Sequence, residues 1–262
     1  MTVNELIARF GEQHVAAFVL VLARVGPLFV LAPLFSSKLV PARVRGIVAV
    51  ALAIGIAPVV SQGVALPLGV YDLFWLVLKE MLVGATFAFA IGALFAALST
   101  AGSFLDTSIG FSYGSLVDPL TGSQSSVLAQ AYALVGTLVF IAIGGDGWVV
   151  QGLARTYDLV GLEQAPDLGR LISSVDSVFG AIFTSALEVA GPVMLALILT
   201  DAAFGVVSRV VPQLNVFAVG FPAKVIVGLV LVGASMPFMA GWLGDELQSS
   251  VASALHTLKV AG

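Results

Sequence analysis

Three charged side chains, Asp201, Arg209 and Lys224, lie between two strongly apolar runs of the chain. In the middle of a membrane helix one such charge costs on the order of 2.5–3.5 kcal/mol, so it must reach water, an interface or an opposite charge. An ordinary loop with solvated charges is the alternative interpretation. We predict that the three groups are satisfied inside the protein or at a junction between subunits, because an unpaired charge in an apolar setting is costly.

Two prolines divide this charged stretch. Pro212 and Pro222 each lack a backbone N–H and move the preceding residue away from helical geometry. The helix that carries Asp201 is therefore predicted to end near Val211, and a new helix to begin around Pro222. Between them, residues 213–217 form a short elbow of mixed polarity.

The sequence has no pattern typical of catalysis or of metal binding. It contains no cysteine, and its two histidines, His14 and His256, lie near opposite ends of the chain. A metal site needs several ligands close together, so neither histidine is expected to bind a metal. A glycine-rich phosphate loop and a Ser/His/Asp arrangement are also missing, and we expect no cofactor. A net charge of −4 without a basic run argues against nucleic-acid binding.

Composition places the chain among integral membrane proteins. Of its 262 residues, 59% are hydrophobic and 10% are charged, which leaves too little polar surface to cover a soluble globule. The mean hydropathy of +1.09 agrees. We predict an all-α membrane protein with about six apolar helical segments. These segments cover residues 15–35, 46–71, 79–100, 127–143, 178–200 and 225–243.

The first apolar segment contains a charge and helix breakers. Arg24 lies within it and is followed by Pro27 and Pro33, so this helix is predicted to be kinked. A signal peptide is disfavoured, because the apolar run is long and the basic residue lies inside it. The basic connection at residues 36–45 is typical of a cytoplasmic loop. The fifth segment also combines a charge with a break, since Glu188 lies four residues before a proline.

The third segment has a ridge of small side chains on one face. Its members recur every four residues, which aligns them along a helix. The ridge comprises Glu80, Gly84, Ala88, Gly92, Ala96 and Thr100. Small side chains allow another helix to approach closely, so we predict that this face contacts a neighbouring helix. A ridge facing lipid is the alternative, but lipid would not solvate the carboxylate at its start.

Residues 101–126 predict a long loop rather than a helix. They contain five glycines or prolines and two aspartates, and they offer no apolar run of helical length. A loop of this length is usually functional or disordered, and this one is too apolar for disorder, so we expect it to pack or to plug. Further along, glycines at residues 144–147 are predicted to break the fourth segment. Residues 155–176 are the most polar region and favour a solvated excursion.

A set of short motifs extends over nearly the whole chain. The motifs are Arg24 with Gly26 and Pro33, Pro41 and Arg45, Glu80 with Gly84, Gly102 with Asp106, Gly110 and Asp118-Pro119, and finally Asp201, Gly205, Ser208-Arg209, Pro212 to Phe217, Gly220 to Pro222 and Lys224. Together they resemble the flagellar biosynthetic protein FliR family, whose relatives also serve virulence-type type III secretion systems. The last block is the most specific. Family members commonly have Gly-His after the fourth segment, where this chain has Gly145-Asp146-Gly147, so no role for that histidine carries over.

The resemblance implies a core subunit of a protein export gate, and not an enzyme. With FliP-like and FliQ-like subunits it implies a helical assembly of kinked hairpins, whose central pore passes unfolded flagellar proteins. Residues 1–200 would be roughly FliP-like and residues 201–262 roughly FliQ-like. Contacts with FlhB-like and FlhA-like export components and with membrane lipid are implied as well. The location implied is the bacterial inner membrane, within the flagellar basal body.

The resemblance also implies a plug for this pore. In the family, the loop between the third and fourth segments lies in the channel, and apolar side chains can close a narrow pore by excluding water. The predicted plug residues are Gly110, Phe111, Ser112, Tyr113, Gly114, Ser115, Leu116, Val117 and Asp118. The residues expected to serve assembly are Arg24, Glu80, Gly84, Gly92, Glu188, Asp201, Arg209, Pro212, Gln213, Asn215, Phe217, Pro222 and Lys224.

Two alternatives stay open. A secondary transporter for a small solute would also have broken helices with charges near mid-segment. Against it, the sequence shows no matching half-repeats, and its longest irregular stretch is apolar and aromatic, unlike a polar solute pocket. The second alternative is a virulence-type apparatus, although residues 219–222 look more like flagellar members of the family.

Overall fold

A computed structural model describes residues 3–36, 40–111, 126–164, 166–213 and 215–261 of the chain. Within these ranges the regular secondary structure is helical, without a strand. The helices are α1 (Val3–Val25), α2 (Leu28–Leu31), α3 (Pro33–Ser36), α4 (Ala42–Val60), α5 (Val70–Ile109), α6 (Val127–Ala142), α7 (Gly145–Leu159), α8 (Leu168–Val210) and α9 (Val216–Ala261).

Among the described residues, five stretches of helix are long and apolar enough to cross a membrane. They are Gly11–Leu31, Ala42–Val60, Val70–Ile109, Leu171–Val210 and Ala218–His256. A sixth span results if α6 and α7, which are separated by a short break, are counted as one broken span. The prediction of an all-α membrane protein with about six apolar segments is therefore confirmed.

The break between α6 and α7 includes a glycine, as predicted. Gly144 has a φ of 71°, in the left-handed region that a side chain disfavours. Gly144 lies just after the end of α6 and directly precedes the first residue of α7, Gly145.

The first apolar segment is broken at both of its prolines, as predicted. After α1 ends at Val25, Pro27 precedes the single turn of α2. Ala32 is then extended, with φ −83° and ψ 120°, as expected for a residue before a proline. Pro33 begins α3.

The chain forms two compact units. The first comprises Met1–Ala93, Gly144–Val178 and Leu247–Gly262, and the second comprises Leu94–Ile143 and Phe179–Glu246. The expected FliP-like and FliQ-like parts would instead divide the chain once, near residue 200. They do not coincide with these two units and stay a prediction.

Each unit has its own apolar core. In the first unit, Val83, Val160 and Leu258 are completely buried and pack with Leu171. In the second unit, the rings of Phe95 and Phe140 meet edge to face with centroids 5.4 Å apart. Aromatic pairs prefer this geometry.

The loop predicted from residue 101 onward is wrong in its first part, because α5 continues to Ile109. The backbones of α5 and α6 approach closely here: a Cβ on Gly102 would lie 2.5 Å from the Cα of Ala129. The carboxylate of Asp106 accepts a hydrogen bond from the backbone N–H of Leu128 at 3.4 Å, at the start of α6. Gly102 therefore serves helix packing and Asp106 serves helix capping, and neither residue lies in a turn. Residues 112–125 lie outside the described part of the chain.

The solvated excursion predicted for residues 155–176 holds for only part of this range. Most of its described side chains are exposed or half-buried, but Thr156, Tyr157, Val160, Leu162 and Leu171 are buried. Helix α7 continues to Leu159 and α8 begins at Leu168, while Val160 and Leu162 between them are buried. The charges of α7 are confined to its exposed face, so polarity of the sequence did not mean exposure of the whole segment.

The start of the last helix differs from the prediction as well. Helix α8 ends at Val210, as expected, but α9 begins at Val216, so that Pro222 lies inside the helix. The reason is an N-cap: the side-chain oxygen of Asn215 accepts a hydrogen bond from the N–H of Ala218 at 3.1 Å.

Candidate functional site

A buried ion pair joins two helices of the first unit. Arg24 lies in the last turn of α1 and Glu80 lies in α5, and both side chains are 0% exposed. The Nε of Arg24 donates to Oε2 of Glu80, and its Nη2 donates to Oε1 at 2.9 Å. This two-pronged geometry is the strong form of an arginine–carboxylate pair.

The remaining donors of Arg24 bind the end of α7. Nη1 donates to the hydroxyl of Thr156 at 3.1 Å, and Nη2 donates to the carbonyl of Val160 at 2.8 Å. The guanidinium carbon lies 3.9 Å from the ring centroid of Tyr157. A planar guanidinium suits both the carboxylate and the aromatic face. Arg24 thus connects three helices, α1, α5 and α7.

Lys79 extends this buried cluster to the connection after α7. Its Nζ lies 2.9 Å from Oε1 of Glu80. It also donates to the carbonyls of Gly161 and Leu162 at 3.0 and 2.7 Å. Those carbonyls follow the end of α7, where helical partners are missing. The acidic side chain is therefore shared by two cations that hold different parts of the backbone.

The glycines of the small-residue ridge lie against the first apolar segment. A Cβ on Gly84 would overlap the backbone carbonyl of Arg24, whose carbon would be 2.8 Å away. A Cβ on Gly92 would be 2.9 Å from the carbonyl oxygen of Leu31. In this part of the ridge, the absence of side chains permits the close approach that brings Arg24 to Glu80.

The second unit contains a different ion pair. Nζ of Lys224 in α9 donates to Oδ2 of Asp201 in α8 at 2.6 Å, with side-chain exposures of 20% and 54%. Among the described residues Asp201 is thus paired with Lys224 and not with Arg209, which is exposed. A second contact joins the same helices, because Nε1 of Trp242 donates to Oε2 of Glu188 at 3.2 Å.

The connection between α8 and α9 presents its polar residues to the outside. Pro212 and Gln213 form an exposed turn, and Asn215 caps the next helix. Pro222 is exposed in the second turn of α9. Phe217 belongs to the first turn of that helix, and its side chain lies outside the described residues.

The structure describes only the start of the predicted plug. Gly110 has a φ of 107° and ends α5, and the N–H groups of Gly110 and Phe111 both bond to the carbonyl of Asp106 at 3.0 Å. Ser112 to Asp118 lie outside the described residues. The plug therefore stays a prediction.

Comparison with known proteins identifies the family. Residues 15–250 match the family model for bacterial export proteins, family 1. The chain belongs to this family. It is 33% identical over 219 residues to the flagellar biosynthetic protein FliR of Bacillus subtilis (strain 168). These residues cover 82% of this chain and 84% of that protein. Against FliR of Escherichia coli (strain K12) the identity is 30% over 219 residues, with 84% of each chain covered.

A third relative of this export protein family has a different name. The surface presentation of antigens protein SpaR of Shigella flexneri is 27% identical over 226 residues, which cover 85% of this chain and 87% of that protein. The resemblance to the FliR family that the sequence motifs predicted is confirmed.

Sequence reasoning singled out Arg24 and Glu80 in this export protein but did not pair them. The signal was present, since each charge lies within an apolar run, and charges in such runs need a partner. Lys79, Thr156 and Tyr157 were missed as members of the cluster. A threonine and a tyrosine in a helix give no sign of which charge they will face.

Proposed function

We propose that this chain is a subunit of the type III protein export gate of the flagellum, located in the bacterial inner membrane. The observation that carries the proposal is the family match over residues 15–250, together with FliR relatives at 33% and 30% identity. The similarity of residues 219–222 to flagellar members of the family favours a flagellar over a virulence-type apparatus. Membership of an export family also argues against a small-solute transporter.

The proposed role is structural and channel-forming rather than enzymatic. FliP-like and FliQ-like subunits would complete a pore for unfolded proteins, and FlhB-like and FlhA-like components would contact the assembly. Large apolar side chains on α8 and α9, among them Leu195, Ile198, Val206, Ile226 and Val230, are exposed. Exposed apolar faces of this extent support contacts with partner helices or lipid.

Two kinds of residue would serve assembly in this proposal. Arg24, Glu80, Gly84 and Gly92 would do so indirectly, because their buried contacts fix the shape of the first unit. A second set on α8, on α9 and in the turn between them would do so directly, because the described side chains of this set are exposed or half-buried where another subunit can reach them. These residues are Glu188, Asp201, Arg209, Pro212, Gln213, Asn215, Phe217, Pro222 and Lys224.

Deletion and copurification test the proposed function. Removing the gene should abolish secretion of flagellar proteins into the medium, and the wild-type gene should restore it. An affinity-tagged chain should copurify with FliP-like and FliQ-like subunits in one large complex. A chain that purifies alone or as a small homo-oligomer, with normal flagellar secretion in the deletion strain, would contradict the export-gate role.

We further propose that residues Gly110 to Asp118 close the export pore. The end of α5 supports this, since Gly110 has a positive φ and the helix stops before the predicted plug. Phe111, Tyr113, Leu116 and Val117 are apolar or aromatic, and such groups exclude water from a narrow pore and can yield to a passing chain.

Deletion of residues 111–116 tests the plug. The purified complex should form in normal yield, and membranes that contain it should become permeable to ions and small dyes. A matched variant replaces residues 111–116 by serine and glycine at unchanged length, and it should leak as well, because the apolar side chains are what excludes water. Permeability at the wild-type level in both variants, at normal complex yield, would reject the plug.

A further inference from the structure

A groove in the first unit combines a basic rim with an apolar floor. It lies between α7 and the last turns of α9 and encloses about 430 Å³. This volume falls within the range of roughly 300–1,000 Å³ that small-molecule sites occupy. Its lining includes Arg155, Asp158, Leu159, Leu255, His256 and Lys259.

The groove continues along α7 toward Trp148. A smaller cavity of about 220 Å³ shares Arg155, Ala252 and Leu255 with the first, so the two adjoin. Trp148 and Val251 line the far end of the smaller cavity, and Trp148 is 45% exposed. A tryptophan with this exposure is typical of the boundary between apolar and polar surroundings.

The rim has an excess of positive charge. Arg155 and Lys259 are cationic, and His256 adds a third basic group, whereas Asp158 is the acidic residue of the lining. All four are exposed. Among the described residues none of these basic groups forms a salt bridge. In a chain with a net charge of −4, this groove is a local site of opposite sign.

We propose that the groove binds an anionic phospholipid, with the phosphate at Arg155 and Lys259 and the upper part of an acyl chain on the apolar floor. A guanidinium offers paired donors to phosphate oxygens, and an ammonium adds a point charge. Basic pockets between membrane helices recognise anionic headgroups on this principle. An acidic peptide would satisfy the cations but would leave the floor of Leu159 and Leu255 uncovered. This proposal does not depend on the export-gate function.

The tryptophan in the groove provides a local probe. The sequence has three tryptophans, so Trp75→Phe and Trp242→Phe leave Trp148 as the single fluorophore of the full-length chain. This chain would be placed in nanodiscs of phosphatidylcholine that contain a small fraction of brominated phosphatidylglycerol or, for comparison, of brominated phosphatidylcholine. Bromine quenches tryptophan only at short range, and the anionic lipid should quench Trp148 more strongly.

Two substitutions and a matched control localise the preference. Arg155→Gln and Lys259→Gln should each lower the preference for phosphatidylglycerol about fivefold. Arg43→Gln removes an exposed basic residue that does not line the groove, and it should leave the preference unchanged. A circular dichroism spectrum would show that each variant is folded.

Three results would overturn the proposal. The first is equal quenching by both brominated lipids. The second is a preference for phosphatidylglycerol that survives in the Arg155→Gln, Lys259→Gln double variant. The third comes from a photoreactive group placed at Leu255 in the complete complex: crosslinking to a protein subunit instead of lipid would mean that a partner occupies the groove. Crosslinking to lipid would support the assignment.

Discussion

The ion pairs Arg24–Glu80 and Asp201–Lys224 each join distant parts of the described chain, but they lie in opposite environments. Arg24 and Glu80 are completely buried, with Thr156, Tyr157 and the carbonyl of Val160 around the guanidinium. Asp201 and Lys224 form one hydrogen bond, and the carboxylate side chain is 54% exposed.

The difference in burial assigns the two pairs to different tasks. Breaking a buried pair leaves an uncompensated charge and costs about 3–5 kcal/mol, whereas an exposed pair contributes about 0.2–1 kcal/mol in water. The Arg24–Glu80 pair therefore governs whether the first unit folds. The Asp201–Lys224 pair contributes little to the isolated chain, and its exposed oxygens remain open to a group on another subunit.

The largest expected effect comes from removing one side of the buried pair. Arg24→Met or Glu80→Met alone should lower the free energy of unfolding by about 3–5 kcal/mol. The double variant should recover part of this loss, because no unpaired charge remains. Thermal unfolding in detergent would measure all three chains. Losses that simply add in the double variant would show that the pair is not coupled.

The close approach of α5 to α1 gives the next effect. Gly84→Leu places side-chain atoms against the backbone of Arg24 and should cost about 1–3 kcal/mol or prevent folding. Gly92→Leu meets one carbonyl oxygen and should cost less. Gly55→Leu is the control, since a Cβ there has no described atom within 4 Å. Equal stability of the Gly84 and Gly55 variants would show that the ridge does not touch α1.

A smaller effect concerns the turn that brings Lys224 back toward Asp201. Asn215→Ala removes the N-cap of α9 and should lower stability by about 1 kcal/mol. Gln213→Ala, two residues earlier in the exposed turn, should change stability less. If both substitutions had the same effect in thermal unfolding, Asn215 would not be the N-cap of α9.

The smallest effect on the isolated chain is expected at the exposed pair. Asp201→Asn and Lys224→Met should each change stability by less than about 1 kcal/mol, with a coupling of about 0.2–1 kcal/mol between them. The same variants should reduce the yield of the assembled complex more clearly, if the pair faces another subunit. A cycle on Asp201 and Arg209 is the control and should be additive. Coupling of Asp201 to Arg209 instead would reassign the partner.

Residues 101–109 show that glycine and aspartate can serve helix packing and capping as well as turns. Gly102 and Asp106 were read as turn residues, which is their role in most loops. Here α6 packs so closely on α5 that Gly102 provides the necessary space and Asp106 caps α6. The sequence alone contains no information about which helix will lie against them.

The sequence by itself determined the membrane class, the number of apolar segments, the breaks at Pro27, Pro33 and Gly144, and the family. These features depend on local quantities: the length of an apolar run, the backbone geometry that proline and glycine permit, and short motifs. The end of α8 near Pro212 is of the same kind.

Only the tertiary structure decided which charges meet. Arg24 and Glu80 lie 56 residues apart, and their pairing depends on the glycines of α5 that let α1 approach. For Asp201 both Arg209 and Lys224 were available in the sequence. The turn capped by Asn215 sends α9 back along α8 and brings Lys224 within 2.6 Å of the carboxylate. A pairing of this kind depends on the relative position of two helices, which hydropathy and spacing along the chain do not specify.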